Sequence, residues 1–304
     1  MKILITGSEG FIGTELIGQC LAKNIEVVGF DLLKKNDHKY DFRIGDIRKP
    51  EIKDVFPEDV DVVVHLAAIS RDRDCLQDPY SAYETNIMGT LNIMRVAKEK
   101  KAKQFIFASS EWVYEKFIGN EEKDEESLID ISGHVSEYAL SKLVSEATLR
   151  LQYKRGFVPT TIFRFSIVYG PRKEDWSSVE AVADDVKKNE VVTLMRSKKA
   201  GRRFVHVKDI ARGIISAFGR TDFQIINLSG DVMVTMGDVV RESEALFNKK
   251  VKIVESNPDD ANMRNPANRK AKELLGWQPE IELVEGIKTT DPYTTFVADR
   301  KQAT

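Results

Sequence analysis

Only two of the 304 residues are cysteine, Cys20 and Cys75. That is too few for a disulfide framework, so a reducing, cytoplasmic setting is expected. A basic excess is also lacking: 46 Lys and Arg face 48 Asp and Glu, for a net charge of -2. A protein that tracks nucleic-acid phosphates normally carries a cationic surplus, so no nucleic-acid partner is expected. No run approaches the roughly 18–20 apolar residues that span a bilayer, which gives no membrane partner either. The apolar start Met1-Lys2-Ile3-Leu4-Ile5 runs straight into Thr6-Gly7. It has no long apolar region and no small-residue cleavage site, so it is expected to belong to the fold and not to a signal peptide. No internal repeat is evident, and no metal is expected. The charge-dense run Glu121 to Glu126 reads as a solvated loop.

What is present is a regular alternation. Ile3–Ile5, Val27–Phe30, Val62–His65, Phe105–Ala108 and Thr160–Phe165 are short apolar runs of the kind buried on both faces of a sheet. Amphipathic segments near Ile12–Ala22, Tyr80–Lys100 and Glu137–Tyr153 separate them. Strand–helix alternation predicts βαβ units and a parallel sheet. After Gly170-Pro171 the texture becomes more charged and less periodic. Two later pieces read as returning to the first body: Phe204–Val207 with a helix from Asp209, and Ile225–Leu228. The expected architecture is an α/β Rossmann fold, a doubly wound parallel sheet, with a smaller C-terminal α/β substrate-binding lobe. Residues 1–170 plus about 204–228 would form the first body, and 171–203 plus 229–304 the lobe.

Directly after the first strand comes Thr6-Gly7-Ser8-Glu9-Gly10-Phe11-Ile12-Gly13, which opens the first helix. Glycines at 7, 10 and 13 let the turn tighten and the backbone approach a pyrophosphate. The helix N-terminus offers that anion free N–H groups and a positive dipole end. Asp31 ends the second strand, 18 residues past Gly13. An acid there accepts hydrogen bonds from an adenosine ribose and repels a 2′-phosphate, so NAD is favoured over NADP, although Lys34 and Lys35 keep NADP open. Asp46-Ile47 follows a short third strand, where an acid can reach the adenine amino group. In His65-Leu66-Ala67-Ala68 the small residues let the backbone run beside a cofactor, and His65 itself reads as packed.

Tyr138 and Lys142 lie four apart, on one face of a helix. A phenol is a poor base near neutrality, and a neighbouring ammonium together with an oxidised nicotinamide favours its phenolate. Ser109 and Ser110 end the fifth strand, at the edge where doubly wound sheets bind ligands. Ser110 could bond the same substrate oxygen that Tyr138 deprotonates.

These segments occur in order with Asn86 and Gly89-Thr90-x-Asn92, Val113-Tyr114, Arg164, Tyr169-Gly170-Pro171, Arg202 before Phe204-Val205-His206-Val207, and Leu275-Gly276-Trp277-Gln278-Pro279. The set resembles the extended short-chain dehydrogenase/reductase superfamily, in its nucleotide-sugar epimerase/dehydratase branch, over roughly residues 1–288. The resemblance implies Ser110, Tyr138 and Lys142 as catalytic residues, with Lys142 also on the nicotinamide ribose and Asn86 supporting the site. It implies a nucleotide-diphosphate sugar as substrate, with Arg202 and Arg264 on its phosphates. It also implies a homodimer through Tyr80–Lys100 and Glu137–Tyr153, although the stripe Ile87, Leu91 and Met94 would equally suit packing on the sheet.

The sequence departs from the family pattern at three places. Dehydratases and decarboxylases of this branch usually carry Glu two places after the catalytic Ser or Thr. Here Trp112 stands there, and Glu111 stands one place earlier, where it could still act on substrate as an acid or base. Many 4-epimerases have Asn where this chain has Ile167. The Pro-rich lead into the catalytic Tyr is replaced by Gly133-His134-Val135-Ser136-Glu137, in which His134 reads as a loop residue. The expected reaction is NAD-dependent 4-epimerisation through a transient 4-keto sugar. The alternatives are a C4 dehydrogenase or 4-keto reductase using the same residues, a 4,6-dehydratase, against which Trp112 argues, and a non-enzymatic regulatory role on a retained fold.

Overall fold

The computed structural model describes residues 1–34 and 38–294. Lys35 and the end of the chain from 295 lie outside it. Seven strands form one parallel sheet: β1 (Lys2–Thr6), β2 (Glu26–Asp31), β3 (Asp41–Ile44), β4 (Val62–His65), β5 (Gln104–Ser110), β6 (Thr160–Phe165) and β7 (Phe223–Leu228). Their order is β3-β2-β1-β4-β5-β6-β7. The order reverses between β1 and β4, which pair Ile5 with Val64. A crevice opens at the carboxyl ends beside such a reversal.

The alternation of side chains along each strand builds two cores. Ile3, Ile5, Val64, Ile106 and Phe163 face one layer, which holds α1 (Phe11–Ala22) and the helix Val207–Ser216 through Ile210 and Ile214. Leu4, Val63, Phe105, Phe107 and Ile162 face the other, which holds α2 (Thr90–Glu99) through Ile93 and Met94, and α3 (Glu137–Lys154) through Leu149. Both faces are covered, which is why these strands read as unbroken apolar runs. Trp277 closes the first layer; its indole N–H donates to the Asp209 carbonyl at 2.9 Å.

A third cluster, including Val179, Val186, Leu194, Val239 and Ile287, is built by the helices Ser178–Lys188, Met236–Phe247 and Leu283–Thr294. Beside it lies a small sheet in which Gly201–Arg202 and Met263–Pro266 run parallel, with Arg202 opposite Arg264. Among the described residues no helix is long and apolar enough to cross a membrane.

Three expectations need correction. The acidic run is not simply a solvated loop: Glu122–Lys123 forms a strand parallel to Met263–Pro266. Glu125 is buried, with its Oε1 accepting the Asn227 backbone N–H at 2.7 Å. The segment Tyr80–Lys100 is not one α-helix. It is Pro79–Tyr83, a wide π turn over Glu84–Gly89, and α2. At this break the Asn86 carbonyl accepts the hydroxyls of Thr90 at 2.6 Å and Ser145 at 3.1 Å. Finally, Phe204–Val207 contributes only the two-residue strand Val205–His206. It pairs with Val168–Tyr169 outside the main sheet, and the helix starts at Val207.

Candidate active site

The crevice at the reversal is a cavity of about 490 Å³. Gly7, Gly10, Phe11, Ile12 and Gly13 line its floor, Asp31, Asp46 and Ile47 one end, Leu66, Ala67 and Ala68 a wall, and Tyr138 and Lys142 the other end. The floor is tight for a reason that can be read atom by atom. Gly7 adopts φ +73°, and a Cβ there would sit 2.8 Å from the Ala67 nitrogen. A Cβ on Gly13 would sit 2.2 Å from the Gly7 carbonyl oxygen, itself the acceptor for Gly10 N–H at 3.1 Å. No side chain caps α1, whose N-cap is Gly10. Its first N–H groups are therefore available to an anion.

This packing makes a testable distinction within one helix. Gly13→Ala is expected to weaken NAD binding at least about tenfold in a fluorescence titration, since the cradle must open to admit the methyl. Gly18→Ala, where a Cβ meets nothing within 4 Å, is expected to leave binding unchanged. Equal affinities for the two variants would refute the cradle's role.

At the far end the Asp31 carboxylate is fixed by two backbone donors, Glu9 N–H at 2.9 Å and Leu32 N–H at 2.7 Å. Asp46 is gripped by Arg48, with Nε at 2.9 Å and Nη2 at 2.7 Å, and this bonding holds the carboxyl below its usual range. Asn86 stands behind the cavity and does not line it. Its amide accepts Ile69 N–H at 2.8 Å and donates to Ile69 O at 2.9 Å and Ser141 Oγ at 3.0 Å. It pins the wall to α3 from behind. The sequence reading missed Arg48 and Arg172, which also line the cavity; the Arg172 guanidinium lies 4.4 Å from the Phe11 ring centroid. Neither belongs to a spaced motif that would have pointed to it.

At the chemical end, Ser136 caps α3 by accepting Ala139 N–H at 3.2 Å, and this sets the helix phase. Tyr138 then comes beside Ser110 at the end of β5, and the Ser110 side chain favours its phenolate. Lys142 Nζ lies 5.8 Å from the Tyr138 ring centroid and 4.8 Å from that of Phe107. Burial pushes the Tyr138 phenol up to about 12, against the opposing effect of Ser110. Burial also pushes the Lys142 ammonium down to about 8, against Cys75 and Glu146. The ammonium therefore does not bring the phenol toward neutrality by itself. Behind both lies a buried network: Glu146 Oε1 accepts Ser109 Oγ at 2.5 Å, and Arg164 Nη2 donates to Glu146 Oε2 at 2.7 Å. His65 is packed, as expected. Its ring bonds Thr6 at 2.7 Å and Thr90 at 3.0 Å, and burial pushes it down to about 3.

On the lobe side the two arginines differ. Arg202 Nη1 donates to the carbonyls of Gly201 at 2.7 Å and Asn262 at 2.9 Å, while its Nε and Nη2 have no partner among the described residues. Arg264 is turned into the protein, donating to Glu111 Oε1 at 3.2 Å, Glu111 O at 2.8 Å and Glu115 O at 2.7 Å. The sequence assigned both Glu111 and Arg264 to the substrate, but they hold each other. His134 is half-buried in the loop before α3.

A glycine cradle under an uncapped helix, an acid at one end and a Tyr-x-x-x-Lys helix at the other define an NAD-using enzyme of the short-chain dehydrogenase/reductase type. Comparison with known proteins agrees. The model of the NAD dependent epimerase/dehydratase family matches residues 3–229, and the chain belongs to that family. It is 30% identical to UDP-glucuronic acid decarboxylase 3 of Arabidopsis thaliana, over 94% of this chain and 87% of that one. It is 28% identical to the UDP-glucuronate 4-epimerase of Thermodesulfobacterium geofontis, over 94% of each. Among solved structures, the UDP-glucuronic acid 4-epimerase of Bacillus cereus in complex with UDP-glucuronic acid and NAD superposes with a TM-score of 0.85 at 25% identity, covering 98% of this chain and 100% of the other.

Proposed function

We propose that the protein is an NAD-dependent nucleotide-diphosphate-hexose 4-epimerase. The observation that carries this reading is Tyr138 beside Ser110, with Lys142 one turn along, at the end of the dinucleotide cleft. In this reading Tyr138 Oη takes the proton of the C4 hydroxyl while Ser110 holds the same oxygen. Lys142, one turn along from the phenol, would hold the nicotinamide ribose. NAD supplies the hydride acceptor and later the hydride donor. The 4-keto sugar turns over, and Tyr138 returns its proton to the alkoxide formed on the opposite face. Arg202, with an open donor edge, receives the diphosphate.

Dehydration or decarboxylation needs a further group acting on the keto sugar. Trp112 stands where that group is expected, and Glu111 is engaged by Arg264 and Ser166. This favours return of the hydride over onward reaction. The test is NMR of the protein with NAD and a panel of UDP-, GDP-, CDP- and dTDP-sugars. A C4 epimer without net NADH is the expected result. A 4-keto-6-deoxy or decarboxylated product, or NADH accumulating with a 4-keto sugar, would replace the reading.

The body formed by 1–170 with about 204–228 would then hold NAD, and the remainder the sugar nucleotide. We also propose a cytoplasmic homodimer through Pro79–Glu99 and α3, where Met88, Val144 and Leu151 are exposed while Met94 is used on the sheet. Light scattering would decide it, with a monomer mass ruling it out.

A further inference from the structure

We propose that Arg172 is a cofactor-binding residue: its guanidinium faces the glycine cradle across the cleft and holds the pyrophosphate of the dinucleotide against the start of α1. The inference rests on the NAD-binding role of the cleft and not on which sugar is turned over.

The charges of the cleft call for such a residue. The doubly charged pyrophosphate of NAD enters a cavity whose lining includes three acids, Glu9, Asp31 and Asp46. The lining cations are Arg48, Lys142 and Arg172. Arg48 is engaged: Nε and Nη2 hold Asp46 at 2.9 and 2.7 Å, and Nη1 lies 3.6 Å from Glu84. Lys142 belongs to the chemical end, beside Tyr138. The start of α1 adds only a partial positive charge. Arg172 is therefore the full charge left for the middle of the cleft.

The middle is also where it stands. Its guanidinium carbon lies 4.4 Å from the centroid of the Phe11 ring. Phe11 is the first residue of α1, which no side chain caps. Guanidinium and cradle thus border the same stretch of the cavity. Two of the three guanidinium nitrogens are anchored: Nε donates to Glu180 Oε1 at 2.8 Å and Nη2 to the Val168 carbonyl at 3.1 Å. Nη1 has no partner among the described residues. Glu180 is buried and fixed in turn, its Oε1 accepting Gly170 N–H at 3.1 Å and its Oε2 Ser177 N–H at 3.0 Å. An arginine held in this way keeps a charged donor edge in place before the ligand arrives, so little side-chain freedom is lost on binding.

The test is titration of NAD and of ADP-ribose into wild type, Arg172→Met and Arg172→Lys at several salt concentrations. ADP-ribose keeps the pyrophosphate and lacks the nicotinamide. Arg172→Met is expected to weaken both ligands at least about tenfold at low salt, the loss of a charge-assisted hydrogen bond. Salt screens an accessible ion pair, so that deficit is expected to shrink as salt rises. Arg172→Lys keeps the charge without the fork and is expected to recover part of the affinity.

Equal affinities in wild type and Arg172→Met overturn the proposal. So does a deficit that is the same at every salt concentration and that Arg172→Lys shares in full; Arg172 would then serve only to prop Glu180 and Val168. If Arg172→Met fails to fold, labelling of wild type with the arginine reagent phenylglyoxal decides. ADP-ribose and inorganic pyrophosphate are each expected to protect Arg172, and labelling unchanged by saturating ADP-ribose overturns the assignment. No readout here uses turnover, so a failed epimerisation assay leaves the proposal standing.

Discussion

Tyr138→Phe is expected to slow turnover by roughly 10²–10⁴-fold while NAD still binds, the range lost when a positioned acid–base group is removed. The substitution deletes one oxygen and keeps the ring, so packing against the cofactor cleft survives. What goes is the hydroxyl beside Ser110. A variant that kept more than about a tenth of wild-type turnover would mean another group carries the proton. The same pair gives a pH signature. Without cofactor, burial holds the phenol near 12 and Lys142 near 8, so at neutral pH both carry their protons. A positive nicotinamide beside them favours loss of a proton from either group. Binding of oxidised cofactor therefore releases protons, and its affinity rises with pH up to about 8 through Lys142 and on toward about 12 through the phenol. Reduced cofactor carries no such charge and should show a flat profile around pH 8. Tyr138→Phe should reduce the slope for the oxidised form by the phenol's share and leave the part due to Lys142.

The cofactor half of this site was legible in the sequence because its constraints are local. Gly10 and Gly13 are dictated by contacts within eight residues of chain, Gly7 by its positive φ as well as by Ala67, and Asp31 by the end of the next strand. The same holds for Tyr138 and Lys142, which one helix phase brings together. Contacts between distant segments were not legible. Glu111 and Arg264 were each visible as charged residues near the substrate, but nothing in the sequence showed that they lie 3.2 Å apart across 153 positions. The acidic run misled for the same reason: Glu125 is buried because Asn227, on the last strand of the main sheet, needs an acceptor. Asn86 was recognised as part of the site, yet its role behind the wall depends on Ile69 and Ser141, which no spacing ties to it.

Arg164→Met is expected to destabilise the fold by about 3–5 kcal/mol, the cost of leaving a buried charge without its partner. Arg164 and Glu146 are each only about 4% exposed, and they meet through three bonds, Nε to Oε1 at 3.1 Å and to Oε2 at 3.3 Å, and Nη2 to Oε2 at 2.7 Å. Against a typical total stability of about 5–15 kcal/mol, that loss should move a denaturant midpoint far enough to read directly. Removing both charges, as Arg164→Met with Glu146→Gln, is expected to recover a large part of it. A double variant that simply adds the two single losses would show that the pair is not coupled. The pair should also matter to the chemistry. Glu146 lies one turn beyond Lys142 and supports its charge, while its Oε1 holds Ser109, the residue before Ser110. Ser109→Ala leaves the ion pair in place and removes only that tie. If the network positions Ser110 against Tyr138, this variant loses kcat severalfold with an unchanged melting temperature and unchanged NAD affinity, and Ser109→Thr restores it. If the network serves stability alone, Ser109→Ala keeps wild-type kcat, and the ion pair is a structural strut that happens to stand beneath the site.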